Sequence, residues 1–461
     1  MANQVNKLGC RVVLYPQPLV GHITPMLHIG NALYSKGFSV TLIQTRLHSP
    51  DPDAFPNFTF HYIDETLWSA EVLASDPWEK VALLNKRFMV PFRDSLGRIL
   101  RDASSAEESV ACLISDPLWD FVAAIADEFD LPRLGIRTGG LLAFVMYESL
   151  PLLRQKGYFS LQENEQEAEV LEIPPLKVKD LPTENHDAIA VTVEESKSYR
   201  QGIICNTFKE LEGSILDQYS RSLSNAPIFP IGPLHEYSPT SMGGILDQDH
   251  SSITWLNTQA PKSVLYVSFG TLATITKEQF LETAWGLAQS KHPFLWVVQP
   301  KLINGSDTSD HELPKDFITE VSGRGYIVTW APQREVLAHP SVGGFWTHSG
   351  WNSIIESISE GVPMICFPFF GDQKVNARVV SDVWKIGLQL EKKTERREIE
   401  RVIHRLMVEK EGEELRERVG ALKEKAHSSL MEGGSSYRAL DQLTDHILSF
   451  CRAENLRDET H

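Results

Sequence analysis

Six consecutive residues, HSGWNS from His348 to Ser353, join a run patterned like a buried strand, VGGFWT, to one patterned like a helix, IIESISEG. The first amides of a helix lack intrahelical partners and sit at the positive end of its dipole, so such a junction attracts anions. Ser349 and Gly350 let the backbone approach a ligand closely, Asn352 and Ser353 add neutral donors, and His348 can offer a ring N–H to a phosphate oxygen. These residue types suit the holding of a diphosphate. The same residues could do no more than cap the first turn of their own helix. Glu356, four residues after Asn352 and on the same helical face, could accept from a ribose diol, although a glutamate on a helix surface usually has no such task.

A second set lies near the start of the chain. In PLVGHITPML, His22 follows the first strand, on the rim where open sheets bind ligands, and suits a general base; a histidine that only hydrogen-bonds its own loop is the plainer reading. Asp116, in ACLISDPLWD, ends a later strand of the same sheet, and a carboxylate that accepts from one ring nitrogen leaves the other to take a proton. Asp120, four residues on, is expected to face solvent.

The elements that must position these groups follow a βαβ rhythm. RVVLYP, TPMLHIGNALYSKG and FSVTLIQT set it, and it returns at ACLISD, PRLGIRT and GIICNT. The first helix is expected to be capped by Thr24, with Pro25 at its first position and Gly37 just past its end. Residues 228–252 are rich in Pro, Gly and Ser without periodicity and read as a linker, after which SVLYVSFGT, PFLWVVQP, GYIVTWAP, VGGFWTHSG and PMICFPF repeat the pattern. The expected fold is therefore α/β: residues 1–235 form one Rossmann-like open parallel-sheet domain, 236–252 a linker, 253–440 a second such domain, and 441–461 a helix crossing back to the first. Ligands bind beyond the carboxyl ends of such strands, so the two domains are expected to face a cleft.

Composition narrows the partners. The 461 residues carry 44 Lys plus Arg against 61 Asp plus Glu, a formal charge of −17, whose field repels nucleic acid and anionic membranes. A phosphate site in such a chain must work through local donors and helix dipoles. Five scattered cysteines form neither a disulfide framework nor a zinc spacing, and the N-terminus goes straight into a strand pattern without an apolar leader. A reduced, cytoplasmic setting without membrane insertion is expected. Two D-x-D tripeptides, Asp51-Pro52-Asp53 and Asp247-Gln248-Asp249, fall among prolines and in the linker, and neither is expected to hold a metal against the diphosphate.

The 44 residues from Trp330 to Gln373, WAPQREVLAHPSVGGFWTHSGWNSIIESISEGVPMICFPFFGDQ, resemble the signature box of the plant family 1 UDP-dependent glycosyltransferases. The resemblance extends over nearly the whole chain through GHITPML, CLISDPLW, CNTFKELE and SVLYVSFGT. It implies a GT-B fold and an inverting, metal-independent glucosyltransferase, with UDP-glucose as donor substrate and no cofactor. By the same resemblance, Trp330 stacks on the uracil, the Ala331 backbone holds its edge, and Gln333 and Glu356 hold the ribose. His348, Asn352, Ser353 and Thr271 hold the phosphates, Gly350 belongs to the same donor site, and Trp351, Asp372 and Gln373 contact the sugar, joined by Thr138 at its primary hydroxyl. Gln373 implies glucose. His22 is then the base that deprotonates the acceptor, oriented by Asp116.

The acceptor is expected to be a small hydrophobic metabolite, phenolic, terpenoid or hormone-like, walled by Trp68, Trp78, Phe88, Trp119, Phe144 and Tyr147, with half of these serving as core. The enzyme is expected to act as a monomer. Val20 and Thr24 stand where the family usually has Gln and Asn, beside the acceptor, which puts acceptor choice and regiochemistry in question. Two rivals stay open on the sequence, a nucleotide-sugar epimerase or hydrolase of the same architecture and a non-catalytic binder of a small ligand.

Overall fold

The computed structural model describes residues 8–46, 49–63, 77–105, 108–182, 186–223, 226–239, 250–300, 302–303, 313–390 and 395–458. Seven strands form the first sheet: β1 (Cys10–Tyr15), β2 (Ser39–Gln44), β3 (Phe58–Tyr62), β4 (Ser109–Ser115), β5 (Arg133–Arg137), β6 (Ile203–Cys205) and β7 (Ile228–Pro230). All pairings are parallel and the spatial order is β3-β2-β1-β4-β5-β6-β7. Six strands form the second sheet, also parallel: β8 (Val264–Ser268), β9 (Phe294–Val297), β10 (Gly325–Val328), β11 (Val342–Thr347), β12 (Met364–Cys366) and β13 (Gly387–Gln389), in the order β10-β9-β8-β11-β12-β13. The central strands are apolar and buried along nearly their whole length, as strands covered by helices on both faces must be.

Both sheets reverse direction in the middle. In the first, the chain leaves β1 for β2 and β3, then returns to place β4 on the other side of β1. In the second it leaves β8 for β9 and β10 and returns with β11 beside β8. Such switch points open a crevice at the carboxyl ends of the two flanking strands.

Three helices position the candidate residues or close the fold: α1 (Val20–Ser35), α2 (Trp351–Glu360) and α3 (Ser435–Asp458). Helix α1 departs from the expected start at Thr24. The Leu19 carbonyl already accepts from the amides of His22 (2.8 Å) and Ile23 (2.9 Å), so Pro25 lies inside the helix and His22 in its first turn. Leucine has no side-chain cap to advertise this start, whereas Thr24-Pro25 imitates one. The other end agrees with the sequence: Gly37 follows the helix with φ of 100°.

The two compact units cross the expected domain boundaries. Unit 1 comprises Met1–Leu150, Thr183–Ile245 and Ser428–His461, and unit 2 comprises Pro151–Pro182 and Leu246–His427. In unit 2, the stretch before Pro182 is held by Arg378, whose Nε donates to Asp180 Oδ2 at 2.8 Å, both side chains being buried. In unit 1, Leu440, Leu443 and Ile447 of α3 pack with Val12, Leu14 and Ile114 of the first sheet, as expected of a returning helix, which begins at Ser435 rather than 441. Cys451 of α3 lies beside Cys10 of β1, Cα atoms 6.7 Å apart. Cys112, Cys205 and Cys366 are free and buried.

Candidate active site

In unit 1 the switch point carries the histidine and the acid. His22 comes from the first turn of α1, just after β1, and Asp116 directly follows β4. The Asp116 amide donates to the Tyr15 carbonyl at 3.3 Å, tying the two strand ends together. The His22 Nδ1–Asp116 Oδ2 distance is 2.5 Å. Asp116 is buried, and its second oxygen accepts from the Leu118 amide at 3.0 Å, which fixes the carboxylate. With Nδ1–H donating to the Asp116 side chain, the ring carries its lone pair on Nε2, the arrangement of a base held by an orienting acid. Thr138 Oγ1 lies 3.4 Å from the same Nδ1, which places Thr138 with this pair in unit 1. Asp120 is exposed, as expected.

In unit 2 the switch point lies between β8 and β11, and Gly270, Thr271 and HSGWNS sit there. Helix α2 begins at Trp351 with Gly350 as N-cap in an extended conformation and without a side-chain cap bond. The His348 ring is packed against two glycine backbones: a Cβ on Gly270 would fall 2.6 Å from its Nε2, and one on Gly350 2.3 Å. Burial pushes the His348 imidazole down to about 4, with the Ser268 backbone opposing. The ring is neutral at physiological pH and can serve an anion as a hydrogen-bond donor but not as a cation.

Ser349 has φ of 66°, a left-handed conformation that costs a non-glycine residue about 1–2 kcal/mol and tends to mark functional sites. Its amide donates to Thr347 Oγ1 at 3.2 Å and its carbonyl accepts from Asn376 Nδ2 at 3.1 Å. Asn376 also donates to Asp372 Oδ2 at 3.0 Å, so one buried amide links the hexapeptide to Asp372. Gln373 is buried, its amide oxygen accepting from the amides of Phe369 (2.9 Å) and Phe370 (3.3 Å), so its NH₂ is the part with chemistry to offer a ligand.

Gln333 draws the remaining residues together. Its Nε2 donates to Ser353 Oγ at 3.0 Å and to Glu356 Oε2 at 2.7 Å, and the Tyr266 hydroxyl donates to its Oε1 at 3.4 Å. Trp330, half-buried, and Ala331, buried, follow β10 immediately before it. Thr271 and Asn352 are half-buried, while Trp351 is buried with its ring 6.2 Å from that of Trp384. Gly270, Tyr266 and Asn376 were not singled out from the sequence as site residues in their own right. Only the FGT ending of SVLYVSFGT hinted at the first, and nothing pointed to Asn376.

The expected acceptor walls divide. Phe88 and Trp119 come together in unit 1, ring centroids 5.6 Å apart, and both line a small cavity beside β1. Phe144 is fully buried and packs edge-on against Tyr219 at 4.9 Å, a core position rather than a wall. Tyr147 is buried and Trp78 half-buried. Trp68 lies outside the described residues, as do Asp247 and Asp249. Asp51 caps a short turn, its Oδ1 accepting from the Asp53 amide at 3.0 Å.

The close approach at Gly350 yields a prediction. Gly350→Ala keeps an allowed backbone but drives a methyl into the His348 ring, and UDP-glucose affinity measured by calorimetry is expected to fall at least about tenfold. Unchanged affinity would mean that the ring position is irrelevant to the donor.

Known proteins resemble the chain along its length. The family model for UDP-glucoronosyl and UDP-glucosyl transferase matches residues 238–419, and that for the glycosyltransferase N-terminal domain matches residues 9–236. The chain is 45% identical to UDP-glycosyltransferase 76B1 of Arabidopsis thaliana, covering 95% of this chain and 98% of that protein. It is 42% identical to UDP-glycosyltransferase 76C4 of the same plant, covering 96% and 99%. Among solved structures, that of Phytolacca americana UGT2 complexed with UDP-2fluoro-glucose and pterostilbene is similar with a TM-score of 0.77 at 28% identity, over 95% of this chain and 99% of that one.

Proposed function

The chain belongs to the plant family 1 UDP-glycosyltransferases, and on that basis we propose that it transfers glucose from UDP-glucose, with inversion, to a hydroxyl or carboxyl group of a small hydrophobic metabolite. The acceptor classes are phenolic, terpenoid or hormone-like, and the product is a β-glucoside. The observation that carries the reading is the start of α2 at a glycine N-cap that makes no side-chain cap bond, with a neutral His348 wedged between Gly270 and Gly350 beside it.

In this mechanism Trp330, Ala331, Gln333 and Glu356 hold the nucleoside, while the first amides of α2, His348, Asn352, Ser353 and Thr271 hold the diphosphate. Asp372 and Gln373 hold the glucose. His22 Nε2 takes the proton from the acceptor hydroxyl as its oxygen bonds to the anomeric carbon. The bond from that carbon to the diphosphate breaks, and UDP leaves with the electron pair. Asp116 stabilises the imidazolium so formed. Charge on the leaving group is met by preorganised neutral donors, with no metal ion required. The Phytolacca structure, which holds a fluorinated UDP-glucose and a stilbene, supports a flat aromatic acceptor. We read the enzyme as a cytoplasmic monomer of plant secondary metabolism; among the described residues no helix is long and apolar enough to cross a membrane.

The test is incubation with UDP-glucose and a panel of phenolic and terpenoid alcohols and acids. Mass spectrometry should show one added hexose, proton NMR a β-anomer, and the yield should survive EDTA. Consumption of UDP-glucose without a glycosylated acceptor would favour an epimerase or hydrolase instead, and loss of yield in EDTA would refute metal independence.

A further inference from the structure

We propose that the small cavity at the carboxyl ends of β1 and β2 is a subsite for a second hydroxyl group of the acceptor, recognised by Tyr15 and Gln44. The proposal rests on the glycosyl-transfer reading and names the class of acceptor that it uses.

The last residue of β1, Tyr15, has its ring stacked between Phe92 (4.2 Å) and Trp119 (4.8 Å), and its buried hydroxyl has no hydrogen-bond partner. The last residue of β2, Gln44, is also buried; its Nε2 donates to Ser49 Oγ at 2.6 Å, and its Oε1 is left without a partner. In the turn after β1, Gln17 is fully buried with both amide atoms unpartnered. A buried polar atom without a partner costs about 1–3 kcal/mol, and native proteins keep few of them. Several such atoms, gathered at the ligand end of a sheet, are accounted for by a polar group that arrives with the substrate.

The cavity itself indicates which group. Its lining includes Tyr15, Gln44, Thr45, Phe88, Trp119 and Ile23, the last next in sequence to His22, and its volume of about 10 Å³ is the room of one water-sized group. Burial holds the Tyr15 phenol well above its ordinary range, so it stays protonated and can donate. Gln44 Oε1 can only accept. A hydroxyl answers both: it accepts from Tyr15 and donates to Gln44. A carboxylate has no proton for Gln44 and would bring an unpaired charge into an apolar wall, and a methoxy group is larger and has no donor. The acceptor is therefore a flat, apolar molecule with at least two hydroxyls, one presented to His22 and a distal one seated here against Trp119 and Phe88.

A matched pair of probes tests this: a stilbene with a hydroxyl on each ring, and the same stilbene with a hydroxyl on one ring only. Their dissociation constants are measured by calorimetry with UDP present, and their kcat/KM with UDP-glucose. The wild type is expected to prefer the dihydroxy compound by about tenfold in Kd and in kcat/KM, the worth of one well-made buried hydrogen bond. In Tyr15→Phe, which keeps the stacking and removes only the orphaned hydroxyl, the preference should shrink below about twofold. Gln44→Leu should do the same, so misfolding of either variant alone leaves the other to decide. An equal preference in wild type and both variants, or none in the wild type, overturns the subsite. Because Kd is read without turnover, a preserved binding preference with no glucoside formed would instead overturn the transfer reading.

Discussion

Replacing His22 with Ala is expected to lower kcat toward a hydroxyl acceptor by about 10²–10⁴-fold, the usual contribution of a positioned general base. The Kd for UDP-glucose should stay within about twofold, because the ring's Nδ1 meets Asp116 and Thr138, neither of which is assigned to nucleotide or diphosphate. Asp116→Asn sharpens the test. The amide preserves shape but can donate to Nδ1, and it thereby favours the tautomer with its proton on Nε2, where the lone pair is needed. Its kcat should fall nearly as far as that of the histidine variant, and the double variant should be little worse than either, since the two act as one unit. A rate within about threefold of wild type in His22→Ala would remove the histidine from the mechanism.

His348→Ala is expected to lower kcat/KM by about 10²–10³-fold, the cost of removing one donor aimed at developing charge in a water-poor site. His348→Gln, which restores a neutral N–H, should recover part of the loss. The pH dependence separates a neutral donor from a cation. With the imidazole pushed down to about 4 by burial, its charge does not change over roughly pH 5.5–8, and UDP-glucose, whose diphosphate is fully ionised there, should bind with constant affinity. Protonation as pH falls through the depressed value would add a positive charge beside the diphosphate and tighten binding until the fold itself fails. A rise in Kd with a midpoint near pH 6.5 as pH increases would show instead that His348 binds as a cation of ordinary basicity.

The sheets were legible because their central strands are short, apolar and separated by amphipathic helices, and the start of α2 was legible because Gly350 and the polar residues around it leave few other places for a helix to begin. Local signals misled where tertiary contacts decide. Thr24-Pro25 has the chemistry of a helix start, yet the chain enters α1 earlier, through Leu19. The attachment of residues 151–182 to unit 2 includes an ion pair between Asp180 and Arg378, and no local pattern announces a partner so far along the chain. The approach of Cys451 to Cys10 arises only once α3 docks on the first sheet.

Aromatic residues carry the least positional information. Phe144 and Trp119 look alike in sequence, and burial against Tyr219 on one hand and beside a cavity on the other separates them. The polar atoms of Tyr15, Gln17 and Gln44 become informative only when they are found buried without partners.

Whether neutral donors at the mouth of α2 hold the diphosphate unaided by a cation is decided by a crystal structure of the protein soaked with UDP-glucose in the presence of EDTA. The prediction is diphosphate oxygens within about 3 Å of the Asn352 and Ser353 amides and of the His348 ring, with no metal or lysine between them. A diphosphate lodged elsewhere, or one that binds only when a divalent cation is restored, would contradict it.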